Sequence, residues 1–313
     1  MTKVTNLGDV GGWFRTASGV ASPAWGPGEG GFGRVSSDAD LTAALDLFRG
    51  RPTVVLTGAG MSTGSGLPDY RGRDAVPRSP MTFEEFTGSD LSRRRYWARS
   101  TVGWSWFETA RPGLAHLALA EIGRRTPLTG IITQNVDGLH QAAGSAPVVD
   151  LHGTLARVVC LGCGRFSGRA DLQSRLLALN PGLAAGLDAL AERARTAPDG
   201  DAEIDDMTGF VYPACPVCGG MLKPDVVYFG ENARRETVEA ANALFDAADV
   251  LLVLGSTLTV MSGLRFARRA VKQGKDVIIA GDGATRADDL ATLRVHGRLE
   301  RILPFWARAS RTS

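Results

Sequence analysis

Gly58-Ala59-Gly60-Met61-Ser62-Thr63-Gly64-Ser65-Gly66-Leu67-Pro68-Asp69-Tyr70-Arg71 is the stretch whose reading decides the fold. It follows Thr53-Val54-Val55-Leu56-Thr57, an apolar run that reads as a buried parallel strand. A strand that delivers its carboxyl end into glycines presents backbone N–H groups to nucleotide phosphates in a doubly wound fold. Glycine there permits positive φ and close backbone approach. The bland alternative is an ordinary glycine-rich turn, because a lone glycine motif is weak evidence. The spacing departs from a dehydrogenase fingerprint. Gly58 and Gly60 fit G-x-G, but Gly64 falls one residue late, and no strand ending in an acid follows about 20 residues on. Leu67-Pro68-Asp69-Tyr70-Arg71 reads instead as a restrained polar loop placed over a ligand. A bound nucleotide is expected; hydride transfer is not.

G-A-G-M-S-T-G-S-G-L-P-D-Y-R resembles the first signature of the sirtuins, the NAD-dependent protein deacylases. Composition is compatible. The 313 residues allow one large domain or two of ordinary size, and 44% hydrophobic residues can bury a substantial core. A net charge of +2 gives no electrostatic case for nucleic acid as the main partner. No apolar run approaches the ~20 residues needed to span a bilayer, and no secretory h-region follows Met1-Thr2-Lys3. A cytoplasmic protein is expected. Nothing in the sequence speaks to oligomeric state.

All four cysteines fall in two C-x-x-C pairs, Cys160/Cys163 and Cys215/Cys218, each followed by a glycine. Disulfides are the alternative in an exported protein; without an export signal, a tetrahedral zinc site is the stronger reading. Four protein ligands leave no position for water, so the metal is expected to be structural. A nucleic-acid-binding zinc ribbon is disfavoured, because the segment between the pairs lacks a basic, aromatic stripe.

Two further strand ends carry polar groups into the crevice of an open α/β sheet. Leu128 to Thr133 ends in Gln134-Asn135-Val136-Asp137-Gly138-Leu139-His140. Asp137 alone reads as a helix cap. Joined to Gln134 and Asn135, it resembles the family's T-Q-N-V-D-x-L-H. Val148-Val149-Asp150-Leu151-His152-Gly153 resembles the family's catalytic E-L-H-G, and an imidazole with an ordinary pKa near 6.5 suits proton removal. His116 and His140 read as buried structural histidines. Gly255-Ser256-Thr257-Leu258, after the apolar run 249–254, resembles the family's cofactor-contacting G-T-S-L. After 277–280, Gly281 stands where the family places an asparagine against a ribose, and Asp282 is the substitute acceptor.

The resemblance covers roughly residues 38 to 305, in the family's motif order. The 51 residues between Cys163 and Cys215 resemble the insertion of the class II, mitochondrial sirtuin four subgroup and its bacterial relatives. The expected fold is α/β, a doubly wound, Rossmann-like parallel sheet with an inserted zinc-binding and helical module. Residues 1–36 read as an irregular segment, and 37–78, 111–158 and 222–308 as the NAD domain. Residues 79–110 read as a helical module, and 159–221 as the zinc module.

The resemblance implies a reaction in which nicotinamide leaves NAD⁺ and the acyl oxygen attacks the anomeric carbon. His152 is then general base on a ribose hydroxyl, and the products are lysine and O-acyl-ADP-ribose. Asn135 and Asp137 would position ribose and carboxamide, and Gly58, Ala59, Gly60, Ser62, Pro68, Asp69, Tyr70 and Arg71 would hold the cofactor. Val227, Phe229, Gly230 and Glu231 resemble the stretch that pairs as a strand with an acyl-lysine peptide. Tyr96 and Arg99, three apart on one helix face, match a family pair that recognises acidic acyl groups, while Arg99 belongs equally well to a solvated basic face with Arg93, Arg94 and Arg95. Protein ADP-ribosyl transfer and a non-catalytic NAD sensor are the competing functions.

Overall fold

The computed structural model describes residues 35–68, 80–186 and 209–311. The readings placed on Asp69, Tyr70 and Arg71, on most of the N-terminal segment and on part of the stretch between Cys163 and Cys215 lie outside these residues.

Six strands form one sheet: β1 (Thr53–Thr57), β2 (Leu128–Thr133), β3 (Val148–Asp150), β7 (Val250–Leu254), β8 (Asp276–Gly281) and β9 (Leu293–His296). All are parallel, in the order β3-β2-β1-β7-β8-β9. Every residue of β1 and β7 is buried, as expected for central parallel strands covered on both faces. Alternate side chains serve opposite layers. Val55, Leu252 and Ile278 pack against α1 (Asp38–Phe48), α4 (Leu114–Gly123) and α9 (Leu299–Ala309). Val54, Leu56, Leu251 and Ile279 pack against α7 (Arg235–Asp246) and α8 (Met261–Lys272). Each fully buried Val, Leu or Ile contributes about 1.5–3 kcal/mol, so this double layer is the main source of stability. The amino end of α1 is fixed by a capping box: Ser37 N–H donates to the Asp40 carboxylate at 2.7 Å, and Asp40 N–H to Ser37 Oγ at 3.3 Å.

A second sheet is antiparallel and is made of β4 (Gly153–Cys160), β5 (Phe166–Gly168) and β6 (Leu222–Val226), with β4 in the middle. The helices α2 (Phe83–Gly88), α3 (Asp90–Thr109) and α6 (Arg169–Leu179) share its core, with Phe86, Trp97, Leu172 and Leu222 at the centre. Arg169 is buried there and joins α6 to α3, donating to Gln173 Oε1 at 2.8 Å and to Ser100 O at 3.0 Å. β6 and residues 153–158 of β4 fall in the span assigned from sequence to the larger domain, yet β4 and β6 pair with each other in this smaller sheet. The reason is connection length. Only Leu151 and His152 separate β3 from β4, far too few for the crossover that a parallel neighbour needs. Gly153 makes the turn at φ 80°, its α-carbon against the Asp225 carbonyl. His152 therefore stands at the junction of the two sheets. Among the described residues no helix is long and apolar enough to cross a membrane.

Candidate active site

The glycines after β1 bring two loops together backbone to backbone. Gly58 N–H donates to Leu254 O at 3.1 Å and Gly60 N–H to Gly255 O at 2.9 Å. A Cβ on Gly58 would lie 2.7 Å from Ser256 Cβ, and one on Gly255 would lie 2.6 Å from Met61 N. Gly58 and Gly60 thus commit their N–H groups to the β7 loop. Of the four glycines in this stretch, only Gly66 has positive φ. Gly64 abuts the Glu300 side chain, which occupies the space a larger residue would need.

Ser62, buried, is the hub of the next layer. Its hydroxyl donates to Asp137 Oδ2 at 2.6 Å and accepts from Asn135 Nδ2 at 3.0 Å. Asn135 also donates to Gly58 O at 3.1 Å. Both amide hydrogens are committed, which leaves the carboxamide oxygen as the acceptor for a ligand. Asp137 Oδ1 accepts from Leu139 N–H at 2.9 Å at the start of α5 (Leu139–Ala142), so the carboxylate caps a helix and holds the loop at once. Behind this layer lie two buried histidines, His116 and His140, with rings 5.0 Å apart. His116 contacts Ser62 and Ser65 Oγ at 3.5 and 3.4 Å, and His140 Nε2 contacts Thr57 Oγ1 at 2.9 Å. Burial pushes His140 down to about 3 and lowers His116 as well.

Gln134 ties the remaining strand ends together. Its N–H donates to Thr57 O, its Oε1 accepts from Ser256 Oγ at 2.7 Å, and its carbonyl faces His152 Nδ1 at 3.0 Å. A carbonyl only accepts, so neutral His152 carries its proton on Nδ1 and Nε2 is the basic nitrogen. Burial pushes this imidazole down to about 4, only partly offset by the Gln134 carbonyl. The ring is therefore neutral at neutral pH, with Nε2 as the nitrogen that can take up a proton.

The four cysteines converge. Their sulfurs lie within 4.8 Å of one another, with Cys160–Cys218 at 3.4 Å and Cys163–Cys215 at 3.9 Å. None is disulfide-bonded. A tetrahedron with metal–sulfur bonds of about 2.3 Å has edges of about 3.8 Å, so the donor set fits a zinc-sized ion. Gly164 and Gly219 turn the two knuckles at φ 71° and 69°. Gly162 and Gly220 N–H donate to the Cys160 and Cys218 sulfurs.

The pattern of the Sir2 family matches residues 58–262, the span from the first glycine loop to the start of α8. The chain belongs to the Sir2 family. The NAD-dependent protein deacetylase 1 of Mycobacterium avium is 49% identical over 269 residues, covering 86% of this chain and 95% of that protein. The NAD-dependent protein deacetylase 1 of Streptomyces coelicolor is 52% identical over 263 residues, covering 82% and 85%. A solved Sir2–p53 peptide–NAD⁺ complex is similar in fold, with TM-score 0.68 at 27% identity over 89% of this chain and all of that one.

In this Sir2-family chain the stretch after β6 is anchored on both sides. Val227 N–H donates to His152 O at 2.8 Å, and Phe83 N–H to Phe229 O at 2.9 Å. Glu231 turns inward. Its Oε2 accepts from Lys223 Nζ at 3.0 Å and from Tyr228 N–H at 2.9 Å, which fixes the loop containing Gly230. Tyr96 is buried in an aromatic cluster with Phe86, Trp97 and Tyr228, and Arg99 is half-buried one turn further along α3. Arg93 and Arg94 are not simply solvated: they donate to the Phe86 and Phe210 carbonyls, while Arg95 is exposed. Gly281 ends β8 at φ 153°, a conformation strained for any side chain, and the exposed Asp282 follows. Thr257 Oγ1 lies 3.0 Å from Thr259 Oγ1, and Pro68 is half-buried at the edge of the described loop. Sequence reasoning missed Ser262 and Gly263. Ser262 Oγ lies 2.8 Å from His152 Nε2, and Gly263 lies against the Gln134 amide. No local motif marks them, because only the packing of α8 against the sheet brings them to the site.

Proposed function

We propose that the chain removes acyl groups from protein lysines with consumption of NAD⁺. The observation that carries this reading is His152, at the junction of the two sheets, with its proton on Nδ1 and its basic Nε2 facing Ser262 at the start of α8. Family membership and the deacetylase relatives agree with it. The residues suit a dinucleotide: buried polar groups at Ser62 and Asn135, with the part-buried Asp137 carboxylate beside them, gather where the glycine loops after β1 and β7 meet. NAD⁺ supplies the ADP-ribosyl group that accepts the acyl group. Asn135 and Asp137 position the cofactor, with Ser256, Thr257 and Asp282 toward its adenosine end. His152 Nε2 takes a proton from a ribose hydroxyl. The acyl-lysine peptide enters as an extended strand along Val227 to Gly230, where backbone pairing asks little of its sequence.

We propose one structural zinc on Cys160, Cys163, Cys215 and Cys218, with no part in the chemistry. A reducing cytoplasm is the setting that keeps four such thiols as ligands.

Mass spectrometry of the products formed from NAD⁺ and acyl-peptides tests the reading: nicotinamide, free lysine peptide and O-acyl-ADP-ribose are expected. A peptide that gains ADP-ribose and keeps its acyl group would establish transferase activity instead. His152→Ala is expected to lower kcat by roughly 10²–10⁴ while NAD⁺ still binds; undiminished turnover would assign the proton transfer to another group.

A further inference from the structure

Ser262 is the second residue of α8 and fully buried, and its Oγ lies 2.8 Å from His152 Nε2. With Nδ1 committed to the Gln134 carbonyl, Nε2 bears a lone pair in the neutral ring, so the hydroxyl donates to it. We propose that Ser262 is a positioning residue for the base: its hydroxyl fixes the imidazole in the resting site and becomes the acceptor once Nε2 carries a proton. This inference rests on the reading of His152 as base.

The two functions follow from hydroxyl chemistry. In the resting state the ring is held at both nitrogens, by Gln134 O on one side and Ser262 Oγ on the other, so it cannot rotate away from the cleft. When a ribose hydroxyl arrives, its O–H bond breaks as the Nε2–H bond forms, and the oxygen keeps the electron pair. The imidazolium then needs an acceptor in a buried place. Among the described residues, the nearby carboxylates are already engaged: Asp150 with Gln141, Asp137 with Ser62 and Leu139, and Asp225 with Arg157 and Arg234. On α8 itself the nearest charged residue is Arg265, a cation of no use to a second cation. A hydroxyl that turns from donor to acceptor fills the need without a carboxylate. The same helix start sets Gly263 against Gln134, where a Cβ would lie 2.8 Å from Nε2 of that side chain, so α8 supports both partners of the base.

Ser262→Ala removes the hydroxyl and leaves helix and volume nearly intact; Ser262→Thr restores it. Nitrogen-15 spectra at neutral pH read the ring directly, with the His152 signals assigned by their loss in His152→Ala. Ser262→Ala is expected to move the Nε2 signal away from its position in the unmutated protein, as the loss of the Ser262 hydrogen bond requires. It is also expected to lower kcat about tenfold with KM for NAD⁺ little changed, as for one lost hydrogen bond. Ser262→Thr is expected to restore both. A signal or a kcat left unchanged by Ser262→Ala overturns the assignment. Full turnover in His152→Ala removes the base reading and Ser262's part with it, whereas an inactive His152→Ala beside an unmoved spectrum removes Ser262 alone.

Discussion

Gly255 carries two constraints at once: its φ is 60°, and its α-carbon faces the Gly60–Met61 peptide. Gly255→Ala would place a Cβ 2.6 Å from Met61 N, so the loops after β1 and β7 must separate. Left-handed backbone costs about 1–2 kcal/mol and overpacking a further ~1–3 kcal/mol. Gly138, at φ 71° with open space for 4 Å around the position of an added methyl, incurs only the first. Urea unfolding is expected to show a loss for Gly255→Ala at least ~1 kcal/mol larger than for Gly138→Ala, and only the former should weaken NAD⁺ binding. Equal losses would mean that the two loops are not in tight contact. Leu258 shares this loop and is the single non-glycine residue with positive φ among the described residues. Its strain is held in place by burial and by Ser256 Oγ, which accepts the Leu258 N–H.

At the scale of elements, the three-stranded sheet is joined directly to the cysteine cluster: Cys160 ends β4 and the Cys215 knuckle leads into β6. Metal analysis is expected to find one zinc per chain. Cys160→Ala is expected to lose it along with the small sheet, because structural zinc supplies about 10–16 kcal/mol of binding energy to such modules. A Cys160→Ala protein that folds and turns over normally would remove the metal from the account. Helix α3 carries a second test. If Arg99 faces the acyl group, an acidic acyl-lysine such as glutaryl-lysine should be a better substrate than acetyl-lysine, and Arg99→Ala should erase the preference. The partly desolvated guanidinium would grip a carboxylate with two hydrogen bonds. Equal rates on acidic and neutral acyl-peptides in the unmutated protein would leave Arg99 a structural part of the helix. These elements were not equally legible. β1, β7 and β8 announce themselves as apolar runs because both faces are covered, whereas β2 is broken by Thr129 and Gly130 and is only partly buried at its start. β9 is only Leu293–His296, with Arg294 tied to Asp288 and to carbonyls, and its alternation of apolar and polar side chains is too short to stand out. Polar residues at strand ends mark the crevice in the sequence. Ser262 is invisible there, since its role is created by a helix docking 110 residues after His152.

The whole molecule holds its histidines in a common state. The sequence has four, and all four are held below the ordinary imidazole value, with burial the leading cause in each. Their neighbours differ. Asp137 and Glu300 pull His116 back up, His116 pushes His140 further down, the Gln134 carbonyl raises His152, and Arg294 lowers His296. A depressed folded-state pKa means that the unfolded chain takes up the proton first. Stability is therefore complete above about pH 7 and falls as pH drops through 6.5, the ordinary value, toward about 4 for His152 and about 3 for His140. Carboxylates held low by their partners, Glu85 and Asp276 among them, release their stabilisation only below the ordinary carboxylate range, so the window from pH 6.5 to 4.5 belongs mainly to the histidines. Asp150, raised by burial, acts oppositely and offsets part of the loss. Each fully depressed histidine contributes up to about 1.4 kcal/mol per pH unit. Urea unfolding between pH 7.5 and 5 is thus expected to lose roughly 2–4 kcal/mol of stability, the measure of several such groups titrating together in the unfolded chain. His140→Gln, which keeps a polar partner for Thr57, should flatten the slope without abolishing it. Stability that stays constant from pH 7.5 to 5 would mean that these rings reach water and protonate in the folded protein as readily as in the unfolded chain.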